Sequence, residues 1–248
     1  MEKENLTKAI EMRRSRRKFQ GTPIDEKTVA KLDALIVKYS TKDSGRMVLV
    51  TNNGKSFNGF TKSYGMFSGI NDYIVLIADK NDLEAVEKLG YYGELMVLNT
   101  TELGLGSCWV GGGFSRLDMP ITLDKGESVI CAIVIGHASE DLSFKEKIIH
   151  GITHRKTKTV EDMYTSNEPV PEWFIAGMKA VQRAPSAVNR QPVKFTYQAG
   201  SVQASVKDVA NLNTTLDLGI AKLHFELGAG GGTWIWGNDG NFTKKMYV

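Results

Sequence analysis

The sequence predicts an α+β fold made of two related halves within one chain. Apolar residues at helical spacing and short β-branched runs succeed one another along the 248 residues, which is typical of mixed helix and strand. Two segments also repeat. Residues 23–51 match residues 169–197 at a constant offset of 146, and Glu102 in ELGLGSCW matches Glu226 in ELGAGGGTW at an offset of 124.

The elements of the first half follow from these patterns in chain order. Asp25 precedes a segment with apolar residues at Val29, Leu32 and Ile36, so it is a candidate helix cap. RMVLVT, DYIVLIA and SVICAIVIGHA are aliphatic runs of strand length. We therefore predict helices at 5–12, near 24–40 and, as one long or two consecutive helices, within 82–106, and strands at 46–51, 72–78 and 128–138.

The second half is predicted from its match to the first. Equivalent positions carry the same or similar residues: Pro23 and Pro169, Glu26 and Glu172, Leu32 and Met178, Ala34 and Ala180, Ser40 and Ser186. A second copy of one helix-then-strand unit is therefore expected. We place the first half at residues 1–150 and the second, shorter half at residues 151–248.

Composition excludes several classes of protein. The chain is 42% hydrophobic with a net charge of +3, which is typical of a globular protein and too balanced for one that coats itself in nucleic acid. Cys108 and Cys131 lie in apolar stretches and no apolar leader is seen, which favours a cytoplasmic location. The longest apolar stretch is far short of the roughly 20 residues that cross a bilayer. The four histidines show no metal-binding spacing, so no metal is expected.

A basic run stands out at 12–19, MRRSRRKF. Arginine suits phosphate because its planar guanidinium offers paired donors and remains charged. A solvated charged turn and a nucleic-acid-binding arm are the alternatives that this run alone leaves open.

Two further segments favour a phosphate-bearing ligand. RAPSAVNRQPVKF ends a helix at a proline and then supplies Ser186, Asn189 and Gln191 in a turn, where they can present hydrogen-bonding groups. GLGSCWVGGGF places Gly111, Gly112 and Gly113 where backbone can approach a ligand closely. An ordinary tight turn is the alternative for this glycine run.

Together the three segments resemble the flavin-dependent nitroreductase family. RRSRRKF looks like that family's arginine-serine-arginine motif, APSAVNRQP is similar to its proline-serine-asparagine-glutamine-proline turn, and GLGSCWVGGGF looks like its loop beside the flavin ring. The resemblance implies a nitroreductase-like α+β sandwich that holds FMN between two subunits, and here between two halves that form a pseudo-dimer.

The resemblance also implies which residues bind the cofactor. The arginine motif contributes Arg13, Arg14, Ser15 and Arg17, the loop contributes Trp109, Val110, Gly111 and Gly112, and the turn from the other half contributes Pro185, Ser186, Ala187 and Asn189. Arg155 and Lys156, in HRKTK, resemble a later basic segment near the phosphate. No acid–base side chain is required, so no catalytic residue is assigned.

The chain departs from the family pattern in one respect. The arginine motif occurs only in the first half and the polar turn is complete only in the second, because KYSTKDSGRM lacks the prolines and the glutamine. The chain therefore resembles a fused dimer with one site: a monomer that binds FMN, takes electrons from NADH or NADPH and reduces a nitroaromatic, a quinone or a similar small acceptor, without a nucleic-acid or membrane partner. A non-catalytic flavin- or nucleic-acid-binding protein is the alternative.

Overall fold

The computed structural model describes residues 2–40, 44–57, 67–138 and 157–245. These residues form a mixed α+β fold, as predicted, and the helical stretch within 82–106 is a single helix. The helices are α1 (Glu2–Met12), α2 (Glu26–Tyr39), α3 (Leu83–Glu102), α4 (Glu172–Gln182) and α5 (Leu212–Gly228). The strands are β1 (Arg46–Val50), β2 (Asp72–Ala78), β3 (Gly106–Val110), β4 (Ser128–Gly136), β5 (Tyr164–Ser166), β6 (Lys194–Gln198), β7 (Ser201–Ser205), β8 (Gly232–Trp234) and β9 (Gly240–Lys244).

Three of the helices begin at a side-chain cap. Asp25 accepts a hydrogen bond from the Thr28 amide at 3.0 Å before α2, as the sequence predicts. Asp82 accepts a hydrogen bond from the Ala85 amide before α3, and Asn211 accepts from the amide of Asn213 at the start of α5. These caps satisfy amides that would otherwise lack a partner in the first turn, so they define where each helix starts.

The first sheet is antiparallel, with strand order β1-β2-β4-β3. Its central strands are apolar at nearly every position because both faces are covered. Ile74 and Leu76 face a cluster that includes α2 and α3, whereas Val75 packs with Phe57 and Phe114 on the other face. This sheet is therefore an inner layer of the fold.

The second sheet has the order β5-β6-β7-β9-β8 and is antiparallel except between β5 and β6. It is covered on one face only. Val202 and Ala204 of β7 are buried, whereas Gln203 between them is exposed. The buried face packs on α4 and α5 through Phe174 and Phe225.

The two halves share an order of elements. In each, a helix leads to two strands, then a long helix, then two more strands, and the sheet order β1-β2-β4-β3 has the same form as β6-β7-β9-β8. Helices α2 and α4 begin at residues 26 and 172, which are 146 apart (172 − 26). The parallel strand β5 has no counterpart among the described strands of the first sheet.

Helices α3 and α5 join the halves by direct backbone contact. A Cβ atom at Gly90 would strike the Leu216 carbonyl, and one at Gly219 would strike the Glu87 carbonyl. Glycine is needed at both positions because only its missing side chain allows helix axes this close. Residues 13–17, 109–112 and 185–189, three of the segments that the sequence predicts to bind the cofactor, lie around this helix pair.

Candidate functional site

The arginine segment follows α1 in an extended conformation along the edge of the first sheet. Ser15 forms a parallel bridge with Ser107 of β3, and the Arg16 amide donates to the Ser107 carbonyl at 2.8 Å. Within this segment Arg16 is buried, Ser15 and Arg17 are half-buried, and Arg14 is exposed.

Arg13 points inward and links the two halves. Its Nη2 donates to the Arg183 carbonyl, just after α4, at 3.4 Å, and its Nη1 donates to Ser15 Oγ at 3.4 Å. Its Nε is buried without a hydrogen-bond partner among the described residues and lies 3.9 Å from Glu94 Oε1. Arg14 instead folds back, donating to the Glu11 carbonyl at 2.7 Å.

The polar turn after α4 is held by α5. The Ala187 amide donates to both oxygens of Asp217, at 3.1 and 3.2 Å. Val188 and Asn189 have left-handed φ angles of 46° and 52°. Asparagine tolerates this conformation, but it is costly for a β-branched residue such as Val188, so the turn stores strain of the kind found at binding sites.

Gln191 has a structural role that the sequence did not indicate. Its side chain is buried, with Oε1 accepting from the Lys158 amide at 2.9 Å and Nε2 donating to the Gln182 carbonyl at 3.5 Å. Its own amide donates to Ser186 Oγ at 2.9 Å. Gln191 therefore anchors the turn rather than presenting its amide to a ligand.

The glycine loop leaves β3 on the same side as the polar turn. Gly111, Gly112 and Gly113 are exposed, and a Cβ atom at Gly111 would lie 2.7 Å from Asn213 Oδ1. A Cβ atom at Gly112 would have nothing within 4 Å. Asn213 and Asp217 are one turn apart on α5, so the loop of the first half and the turn of the second approach one face of that helix.

We call residues 13–17, 109–112 and 185–189 the arginine region. The structure brings these predicted segments together. Arg155 and Lys156, which the sequence also predicts to bind the cofactor, lie outside the described residues.

Burial shifts the ionisation of Asp217. Desolvation raises its pKa to about 7, opposed by the Ala187 amide and by the charge of Arg190. Ionised and protonated forms of this carboxyl therefore coexist near neutral pH, directly behind the polar turn.

Two buried residues beneath the arginine region were missed by the sequence analysis. Glu94 of α3 accepts from Trp109 Nε1 at 2.8 Å and lies 3.0 Å from His224 Nε2 of α5. Neither Glu94 nor His224 is exposed to solvent. The available signal was a charged residue within the apolar run ELMVL, which by itself does not name a partner 130 residues away.

A second cluster occupies the matching position of the other half. We call Tyr39, Tyr91, Tyr92 and Trp236 the aromatic region. Tyr39 stacks on Tyr92 with ring centroids 6.0 Å apart, and Tyr91 meets Trp236 edge to face at 5.3 Å. The Tyr91 hydroxyl donates to Glu226 Oε2 at 2.8 Å, and burial raises the pKa of that hydroxyl. Tyr91, Tyr92 and Trp236 border a cavity of about 230 Å³ that is partly open to solvent.

Other kinds of site find little support in the described part of the chain. No group of three or more histidine, cysteine, aspartate or glutamate side chains there is arranged to hold a metal ion. Cys108 and Cys131 are buried and form no disulfide, and burial raises the pKa of the Cys131 thiol to about 12. None of the described helices is both long and apolar enough to cross a membrane.

Comparisons with known proteins agree with this architecture. A crystal structure from Thermotoga maritima, named as a "putative nitroreductase", superposes with a TM-score of 0.65 at 23% identity, over 96% of this chain and 92% of that one. An FMN-dependent nitroreductase of Clostridium difficile matches with a TM-score of 0.44 at 20% identity, over 60% of this chain and 97% of that one. No curated protein matches the chain by sequence.

A family model covers most of the chain. The family described as "Putative TM nitroreductase" matches residues 5–229, which include the arginine motif, the glycine loop and the polar turn. The protein is therefore a member of this nitroreductase family.

Proposed function

We propose that the protein is an FMN-dependent oxidoreductase that passes electrons from NADH or NADPH to a nitroaromatic, a quinone or a similar small acceptor. The observation that carries this proposal is the contact between Arg13 and the Arg183 carbonyl at 3.4 Å. It joins the arginine segment to the segment that leads into the polar turn, although the two lie 170 residues apart in the chain.

The residues present fit such a cofactor. Arg13 Nε is a buried donor without a hydrogen-bond partner among the described residues. Such donors are rare in folded proteins and favour an acceptor supplied by a ligand. A Cβ atom at Gly112 would lie in open space, and the Gly112 amide has no hydrogen-bond partner among the described residues. A cationic edge and a side-chain-free wall are what a phosphate-bearing planar ring requires.

Each segment would then have a distinct task. Arg13, Arg14, Ser15 and Arg17 would bind the phosphate and ribityl chain with charge-assisted hydrogen bonds, together with Ser186 and Asn189 from the second half. Trp109 and Gly111 would lie along the ring edge, and the Gly112 amide would donate a hydrogen bond there. Arg155 and Lys156 remain candidates for the phosphate.

The chemistry that FMN supplies when bound is acceptance of a hydride from a nicotinamide and delivery of electrons to a small acceptor. The protein's part is to bind, orient and exclude water. No side chain is required as an acid or base, in keeping with the absence of a catalytic assignment.

We further propose that one chain forms one complete site. The arginine region draws on both halves of a single chain, whereas the aromatic region has rings where the arginine region has exposed glycine and polar turn. The halves would thus act as a pseudo-dimer in a monomer. Equal subunits would instead have two equal sites by symmetry.

The experiment is to purify the protein, release its flavin by denaturation and measure flavin against protein, with light scattering for mass. We expect one FMN per monomeric chain and turnover of NADH or NADPH with a generic quinone. A fully loaded ratio near two, or flavin retained only by a dimer, would refute the single-site proposal. Bound FMN without turnover would identify a flavin-binding module, and no affinity for FMN would refute the function itself.

A further inference from the structure

Glu94 touches two of the segments that the proposed function assigns to the cofactor. Its Oε2 accepts from the Trp109 indole at 2.8 Å, next to the glycine loop. Its Oε1 lies 3.9 Å from Arg13 Nε, in the arginine segment. A carboxylate without solvent exposure is costly unless it is paired, so these contacts fix where the loop and the arginine can lie.

His224 extends the contacts of Glu94 to the polar turn. Its Nε2 lies 3.0 Å from Glu94 Oε1, and its Nδ1 lies 3.0 Å from the Ala180 carbonyl in the last turn of α4. A carbonyl oxygen can only accept, so Nδ1 carries a proton and donates. The Arg183 carbonyl, one residue beyond the end of α4, in turn accepts from Arg13. These contacts connect Arg13, Glu94 and His224 to the end of α4, and the Arg183 carbonyl there contacts Arg13 again.

Glu87 provides an internal comparison. It lies seven residues earlier on α3, is equally buried and pairs with Lys222 Nζ at 2.5 Å. Its second oxygen accepts from the Gly237 amide at 2.8 Å, next to Trp236 in the aromatic region. Helix α3 therefore carries two buried carboxylates, and each one ties the halves together beside a different region.

We propose that Glu94 is a positioning residue for cofactor binding: it holds the glycine loop, Arg13 and, through His224, the end of α4 in the arrangement that binds FMN. This inference rests on the proposed function. A purely structural role predicts lost stability without a change in the affinity of the folded protein for FMN. A positioning role predicts a change in that affinity.

Substitutions at 94 and 87 separate the two roles. Glu94→Leu leaves the Trp109 indole and His224 without their partner, so the dissociation constant for FMN should rise about tenfold or more, as expected for unpaired buried groups. Glu94→Gln can accept from Trp109 and donate to neutral His224, so it should restore affinity to within about threefold of wild type. Glu87→Leu should lower the urea midpoint at least as much as Glu94→Leu, with FMN affinity within about threefold of wild type.

The measurement is titration of the apo, full-length variants with FMN, followed by quenching of flavin fluorescence. Equal losses of affinity at 94 and 87, or an unchanged affinity in Glu94→Leu, would overturn the inference. If Glu94→Leu does not fold, His224→Phe decides, because it removes a partner of Glu94 that is assigned no contact with FMN: affinity should fall several-fold, and an unchanged affinity would overturn the inference. A wild-type chain that binds no FMN would instead refute the proposed function.

Discussion

The arginine region and the aromatic region are built on the same arrangement of elements and carry different side chains. In one, β3 leads from Trp109 to three exposed glycines; in the other, β8 leads from Trp234 to Ile235 and Trp236. Trp109 donates its indole N–H to a buried carboxylate, and Trp234 donates to the Lys222 carbonyl.

The two regions also differ in what supports the end of α2 and the turn after α4. Asp217 lies nine residues before Glu226 and holds the Ala187 amide, whereas Tyr92 lies ten residues before Glu102 and stacks on Tyr39. Tyr92 is one residue away from the position equivalent to Asp217, Gly93 (217 − 124), and ring packing supports the end of α2 where polar contacts support the turn after α4. The two regions thus have similar frames and differ in the side chains that line them, and under the proposed function those side chains decide which region binds FMN.

The largest expected effect tests the glycine loop, Gly111 to Gly113. Gly112→Trp introduces a large ring at a position where a Cβ atom has nothing within 4 Å, so the side chain leaves the backbone without a clash. We expect FMN binding to be abolished with little change in unfolding midpoint. Trp236→Gly, the reciprocal change in the aromatic region, should leave the flavin ratio at one per chain. FMN retained by Gly112→Trp would place the cofactor elsewhere.

The second prediction tests the charge of the arginine region. Arg13→Ala and Arg17→Ala should each weaken FMN binding by about 1.5–3 kcal/mol, roughly 10- to 100-fold, because each removes a charge-assisted phosphate contact. Isothermal titration of the apo protein measures the loss. Arg46→Ala is the control, since it removes an equal charge whose partner is Glu127 at 2.7 Å. Unchanged affinity in both arginine-region variants would contradict the assignment.

Much of the fold could be predicted because its signals are local. The strands of the first sheet are continuous apolar runs, and Asp25 caps its helix as expected. The parallel pairing of β5 with β6 could not be predicted, because register between distant segments leaves no local pattern. Trp234 and Trp236 have strand-like spacing, but β8 ends at Trp234 and does not include Trp236.

The candidate site likewise has parts that the sequence could predict and parts that depend on tertiary contacts. Motif resemblance indicated the three segments of the arginine region, whose assignment to FMN is still a prediction. It did not indicate that Gln191 would be buried as an anchor, or that Glu94 would meet His224 from 130 residues away. Such partners are set by how α3 and α5 cross at Gly90 and Gly219, which is a tertiary property.

The third prediction concerns Asp217 and pH. Its folded pKa, about 7, is above the value of 3.8 for a free aspartate, so the folded state holds a proton that the unfolded chain has lost. This contribution to stability is present below pH 4 and is lost as pH rises through 7. Between pH 5 and pH 8 the wild type should therefore lose about 2–3 kcal/mol relative to Asp217→Asn. Urea unfolding at both pH values measures this, and parallel curves would contradict it.

The smallest expected effect is at Asn189, and it tests whether the halves share one site. Asn189 lies 172 residues from Arg17 (189 − 17), yet both are assigned to one FMN. Its φ of 52° suits asparagine better than alanine, so Asn189→Ala both deletes the amide and strains the turn. Asn189→Gly deletes the same amide and tolerates that backbone.

We expect both Asn189 variants to weaken FMN binding by about 1 kcal/mol, close to fivefold, as for one lost hydrogen bond. Asn238→Ala is the matched control, because the Asn238 side chain accepts from the Val206 amide at 2.7 Å outside the arginine region and should leave affinity unchanged. Loss in the alanine variant alone would assign the effect to turn strain. Full affinity in both variants would mean that the turn of the second half does not complete the site of the first.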